Sequence, residues 1–84
     1  VDAGLLLGRL AEAEHDDRLA LRWFNTYLAE APSGLYASEA LGRKMAILRR
    51  VMGEIAARPV AQDYVTRYPD GTYAAAARAI LNSP

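Results

Sequence analysis

The sequence contains no cysteine, and only one histidine, one phenylalanine, one tryptophan and one lysine. Without cysteine there is no disulfide, no thiol nucleophile and no thiolate zinc site, and the compartment is left open. His15 has no second histidine to share a metal with. Its neighbours Asp16 and Asp17 do not help, because three consecutive side chains converge poorly on one ion. An exposed turn is expected there, and neither metal nor cofactor. Ser33, Ser38 and Ser83 stand in turns or at helix ends, where capping accounts for them, and none has the adjacent base a nucleophile requires. No glycine-rich phosphate loop occurs. These absences leave no constellation for an active site, so a non-enzyme is expected.

Charge of one sign is also missing. Ten basic and ten acidic residues cancel, so no overall field draws the chain to nucleic acid or to an anionic membrane. The one basic cluster is Arg43, Lys44, Arg49 and Arg50. It lacks the interleaved aromatics of a single-strand platform, and Glu12, Glu14, Asp16 and Asp17 lie one helix pair earlier to offset it. No nucleic-acid partner is expected. No apolar run approaches the roughly 20 residues of a membrane span, and no signal-peptide pattern is present, so this stretch is expected not to insert into a membrane. The chain opens on Val1, which suggests a segment of a longer protein.

What is present is apolar and helical. Apolar residues make up 52% of the 84 positions, too rich for disorder, and the length fits one small domain burying about 60% of its unfolded surface. Seventeen alanines and nine arginines against one lysine suggest the codon usage of a GC-rich bacterial genome.

The phrase Pro-x-Gly-x-Tyr-Ala occurs at 32–37 and again at 69–74, thirty-seven residues apart. Recurrence at a fixed interval marks a repeated structural unit. Ala3, Leu6, Leu7, Leu10, Ala11 and Glu14 follow the i, i+3, i+4, i+7 rhythm of one helix face. Shifted by thirty-four, that face returns as Ala37, Ala40, Leu41, Lys44, Met45 and Leu48. A second helix is expected from about Asp17 to Ala31, started by Asp16-Asp17 and ended by Pro32 and Gly34. Its broad apolar face holds Leu19, Ala20, Trp23, Phe24, Tyr27, Leu28 and Ala31. A third is expected over Leu35 to Met52. A fourth ends at Tyr68, with Pro59 placed in its first turn, so that it starts late and runs short. A fifth covers Thr72 to Asn82, with Ala77, Ile80 and Leu81 inward. This divides residues 1–84 into repeat one at 1–34, repeat two at 35–71 and a closing helix at 72–82.

Leu7-Gly8, Ala20, Phe24 and Pro32, followed by Leu41-Gly42, Ala57, Ala61 and Pro69, resemble the pattern of tetratricopeptide repeats. The spacing of thirty-seven between Pro32 and Pro69 would put three extra residues in the turn between the second pair of helices. Gly8 and Gly42 would permit close approach of paired helices. Gly4, Ser38, Ala11 and Met45 depart from the family's usual aromatics, and Tyr27 and Tyr64 stand where it has alanine, so the likeness is to a divergent type. The phrase YPDGTYA is similar to repeats of bacterial cell-envelope proteins, among them the Tol–Pal coordinator and outer-membrane assembly lipoproteins, and to repeat tails of membrane-anchored signalling regulators. The resemblance implies an all-α, right-handed superhelix fragment of two helix-turn-helix repeats plus one closing helix, serving as a scaffold for protein–protein interaction.

In such arrays one flank of each first helix lines the groove that receives a partner peptide. Here that flank would hold Asp2, Leu5, Arg9 and Glu12 on the first helix, Tyr36, Glu39, Arg43 and Ala46 on the third, and Tyr73, Ala76 and Ile80 on the fifth. Arg9 and Arg43 would suit a carboxylate, since arginine offers a rigid bidentate fork. The competing reading pairs Arg9 with Glu39 and leaves Arg43 without a particular partner. A chaperone-tail receptor is disfavoured, because Leu5 and Glu39 stand where its clamp has lysine. Trp23, Phe24 and Tyr27 are read as core. The expected partner is a protein or peptide. The alternative role is a structural spacer, or a homodimer formed through Leu5, Leu6 and Leu10 where no preceding repeat covers the first helix.

Overall fold

The computed structural model describes residues 3–83, which form five helices and no strand. The protein is all-α. α1 spans Ala3–Ala13, α2 Asp17–Glu30, α3 Ala37–Met52, α4 Glu54–Arg67 and α5 Ala74–Leu81. Each helix packs chiefly on the next one in sequence, α1 on α2, α2 on α3, α3 on α4 and α4 on α5. Asp2, one of the expected groove residues, lies outside the described residues.

Two cores result, and α3 serves both. Its Ala37, Ala40 and Ile47 join Leu5, Ala11, Ala20, Phe24 and Tyr27. Its Leu41 and Met45 join Ala57, Ala61, Tyr64, Ala74, Ala77 and Ile80. Small alanines at the crossings let the helices approach, and the aromatic rings fill the space between them.

α2 begins as its acidic start implies: the Asp16 carboxylate accepts the N–H of Leu19 at 3.2 Å, which satisfies one of the free donors of the first turn. The α1–α2 turn passes through His15 at φ 62, an uncommon conformation for a residue with a side chain. α3 and α5 each start two residues later than the sequence suggests. The chain there first makes a tight turn, with the N–H of Ala37 bonding the carbonyl of Gly34 and that of Ala74 bonding Gly71.

Three expectations are corrected. α4 does not start late. It begins at Glu54 and equals α2 in length, with Pro59 inside it. The missing N–H removes only the bond to the Ile55 carbonyl, early enough in the helix for packing of Ala57, Ala61 and Tyr64 to outweigh it. The three extra residues of repeat two are not in the turn either. α3 is longer than α1 at its C-terminal end, and the connection to α4 shrinks to Gly53 alone. Gly53 has φ 93, a conformation that glycine adopts without the Cβ penalty.

The third correction concerns α1. Its buried side is Gly4, Leu5, Gly8 and Ala11, whereas Leu6, Leu7 and Leu10 remain 58%, 38% and 55% exposed. The glycines decide the rotation. A Cβ on Gly8 would lie 2.5 Å from Cε1 of Phe24, so α1 presents its smoothest side to the α2 aromatics and leaves most of its leucines outward.

Candidate functional site

The two copies of Pro-x-Gly-x-Tyr-Ala have the same internal geometry. The N–H of Tyr36 donates to the hydroxyl of Tyr27 at 3.1 Å, nine residues back, and the N–H of Tyr73 donates to the hydroxyl of Tyr64 at 3.0 Å. Both accepting tyrosines are 1% exposed. Gly34 and Gly71 are required by this contact rather than by backbone freedom. A Cβ on Gly34 would sit 2.8 Å from the Tyr27 hydroxyl, and one on Gly71 would collide with the Tyr64 hydroxyl. Tyr36 and Tyr73 are thereby fixed at the N-caps of α3 and α5, with their rings left half-buried at the surface.

Those rings border a depression of about 430 Å³ over α1, α3 and the two turns. Arg9, Tyr36, Glu39, Arg43 and Tyr73 line it, which brings together five of the eight residues expected from the sequence. Glu12 joins them through Arg43. Leu5 does not belong to the set: it is 1% exposed and part of the first core.

The charges form a closed network. Arg9 donates from Nε and Nη2 to both Glu39 oxygens at 2.6 and 2.5 Å. Arg43 donates from Nε to the same carboxylate and from Nη1 to Glu12, each at 2.9 Å. The Arg9 carbon Cζ also stands 5.8 Å from the centre of the Tyr36 ring, within cation–π range. The hydrogen bonds from Arg9, supported by the one from Arg43 and opposed by partial burial, hold the Glu39 carboxyl below its ordinary value. The Arg9–Glu39 pair read from the sequence is therefore present. Arg43 is not left alone, and both guanidiniums already hold carboxylates of this chain. A ligand acid arriving here would have to displace Glu39 or Glu12.

A second depression, of about 360 Å³, shares Tyr73 with the first as a lining residue and lies between α3 and α5. Met45, Ala46, Ala76 and Ile80 form its apolar walls, with Arg49 and Arg50 beside them. Ala46, Ala76 and Ile80 lie where the helical spacing places the groove flank. Arg49 and Arg50 read in the sequence only as a solvated basic cluster, and no local pattern marks them as lining anything. The offset of that cluster by the earlier acidic one is physical: Arg50 pairs with Asp17 at 2.7 Å as Arg43 does with Glu12. The Arg50 hydrogen bond lowers the Asp17 pKa.

No helix of the described residues is long and apolar enough to cross a membrane. Comparison with protein-family models, curated proteins and solved structures finds no match for this chain.

Proposed function

We propose that the chain is a non-catalytic protein–protein interaction module of tetratricopeptide-like, right-handed superhelical type, which holds a segment of a partner protein along α1, α3 and α5. One observation carries this reading: Tyr73 lines both depressions, which follow one another along the first helix of each unit as the two halves of a trough. The tyrosine hydroxyl contacts hold its aromatic borders in place, and preorganised walls reduce the ordering cost of binding. The likeness of YPDGTYA to envelope repeats is the ground for placing the parent protein at a bacterial envelope or in membrane-linked signalling. Photo-crosslinking tests the reading. A benzophenone side chain at position 38 or 73 is expected to form adducts with the partner, and one at position 26 or 66, on α2 or α4, is not. Adducts formed only from 26 and 66 would overturn it.

A second reading is favoured by the exposed leucines of α1. The equivalents of Ala3, Leu6 and Ala13 on α3 are Ala37, Ala40 and Ile47, all buried in the first core, so α1 carries uncovered the face that α3 uses for packing. Self-association through Leu6, Leu7 and Leu10 follows, with Leu5 no longer part of the contact. Sedimentation of the wild type and of a Leu6→Glu, Leu10→Glu variant distinguishes the readings: self-association predicts a dimer that the variant loses, and a monomer at all concentrations contradicts it.

A further inference from the structure

The two halves of the trough differ in what they leave free. Around Tyr36 the guanidiniums of Arg9 and Arg43 are committed to Glu39 and Glu12 by bonds of 2.5–2.9 Å. Among the described residues the α3–α5 half has no carboxylate in its lining, and the charges there are Arg49 and Arg50. Arg50 is held by Asp17 at 2.7 Å. Among the described residues Arg49 has one ion pair, to Glu54 at 3.4 Å, with 47% of its side chain in water. Charge-assisted bonds of full strength run at about 2.7–2.9 Å, so the Arg49 fork is loosely held and can turn to a new acceptor at small cost. Beside it, alanine at 46 and 76 leaves room above the buried Met45 and Ile80 that no side chain of the described residues occupies.

We propose that the α3–α5 half of the trough binds an extended acidic segment of a partner protein, with an aliphatic side chain seated between Ala46 and Ala76 over the buried Met45 and Ile80, and a neighbouring carboxylate on Arg49. The proposal rests on the trough being a binding surface and names its occupant by charge complementarity. A basic segment would bring like charge against Arg49 and Arg50. A nucleic-acid strand would bring phosphate but no aliphatic group for the apolar walls. A segment without acid would bury the walls and leave the Arg49 fork unanswered. This assignment moves the carboxylate site from Arg9 and Arg43, whose forks are filled, to the one guanidinium of the trough that is weakly engaged.

The test uses isotope-labelled protein and three short synthetic peptides followed by amide chemical shifts. One carries a leucine flanked by glutamates, the second the same leucine flanked by lysines, and the third the glutamates with glycine in place of leucine. The first is expected to shift Met45, Ala46, Arg49 and Ala76, and to bind about tenfold or more tightly than either control. Arg49→Glu is expected to lose the glutamate peptide and gain the lysine peptide. Ala76→Glu, at an exposed position, should block the apolar seat without disturbing the fold. Equal binding of the lysine and glutamate peptides to wild type, or unchanged binding to Arg49→Glu, would overturn the proposal. Shifts confined to Tyr36, Glu39 and Arg43 would overturn it while leaving the trough a binding surface. No shift along α1, α3 or α5 with any peptide would overturn both.

Discussion

The hydroxyl of Tyr27 accepts the backbone N–H of Tyr36 at 3.1 Å, closing the turn that joins α2 to α3. Thirty-seven residues later Tyr64 does the same for Tyr73. A buried phenol thus satisfies a backbone donor at a helix N-terminus, where tyrosine itself makes no side-chain cap. The contact accounts for tyrosine at 27 and 64 and for the glycine that stands above each hydroxyl. The Tyr64 ring lies edge-on to Tyr73, centroids 6.0 Å apart, a favourable arrangement for aromatic pairs.

Tyr64→Phe removes the acceptor and leaves the Tyr73 N–H without it, at an expected cost of about 1–2 kcal/mol in chemical denaturation. Gly71→Ala is expected to destabilise as well, because its Cβ meets the same hydroxyl. The two changes should then be non-additive, with Gly71→Ala costing less when Tyr64 is already Phe. Strict additivity would show that the glycine is kept for another reason.

Gly42 faces the Tyr73 ring, not α4, since an added Cβ would run into that ring. Gly42→Leu should therefore lower stability by about 1–3 kcal/mol through overpacking. The loss should be largely relieved when Tyr73 is changed to Ala. A thermal midpoint equally depressed in both backgrounds would place the clash elsewhere.

The Glu39 network makes a prediction about acid. The ordinary value for this carboxyl is 4.5, and Arg9 followed by Arg43 lowers it in the folded chain. A group depressed on folding contributes its stability above its unfolded pKa and loses it as pH falls through the folded one. Glu39→Gln is expected to cost about 1 kcal/mol at pH 7, the small figure reflecting screening by water. The gap from wild type should close below pH 4.5. A gap that stays constant into acid would show that the carboxylate charge contributes nothing.

Local structure is legible in the sequence where periodicity and punctuation act over a few residues. Asp16 capping α2 and the inward Ala77 and Ile80 of α5 follow from spacing, whereas the Arg9–Glu39 pair is one of two readings that the sequence leaves open. Spacing fails on α1, where the leucines form the clearer stripe but the glycines set the packing face. A periodic pattern marks an apolar side without saying whether a neighbour covers it. It also fails at Pro59, because propensity is local whereas the packing of α4 is tertiary. In the α3–α5 half of the trough Ala46, Ala76 and Ile80 are legible from helical spacing, whereas Arg49 and Arg50 are not, because a basic pair in a last turn looks the same whether it faces open water or borders a depression.

Pro59→Ala restores a donor for the Ile55 carbonyl and relieves the ring from the turn before it. The gain is offset in part by the freer unfolded chain, so a net stabilisation of about 1–2 kcal/mol is expected. A loss of stability would mean that the proline conformation is needed at that point of α4.

The claim that the first helices carry the binding surface is tested most directly by amide hydrogen exchange of the protein alone and with its partner bound. The account predicts added protection over residues 36–50 and 73–80, strongest around Tyr73, which lines both depressions. Exchange on the outward side of α2 and α4, at Arg22, Thr26, Gln62 and Thr66, should not change. Protection confined to α2 and α4, with 36–50 and 73–80 exchanging as in the free protein, would contradict it.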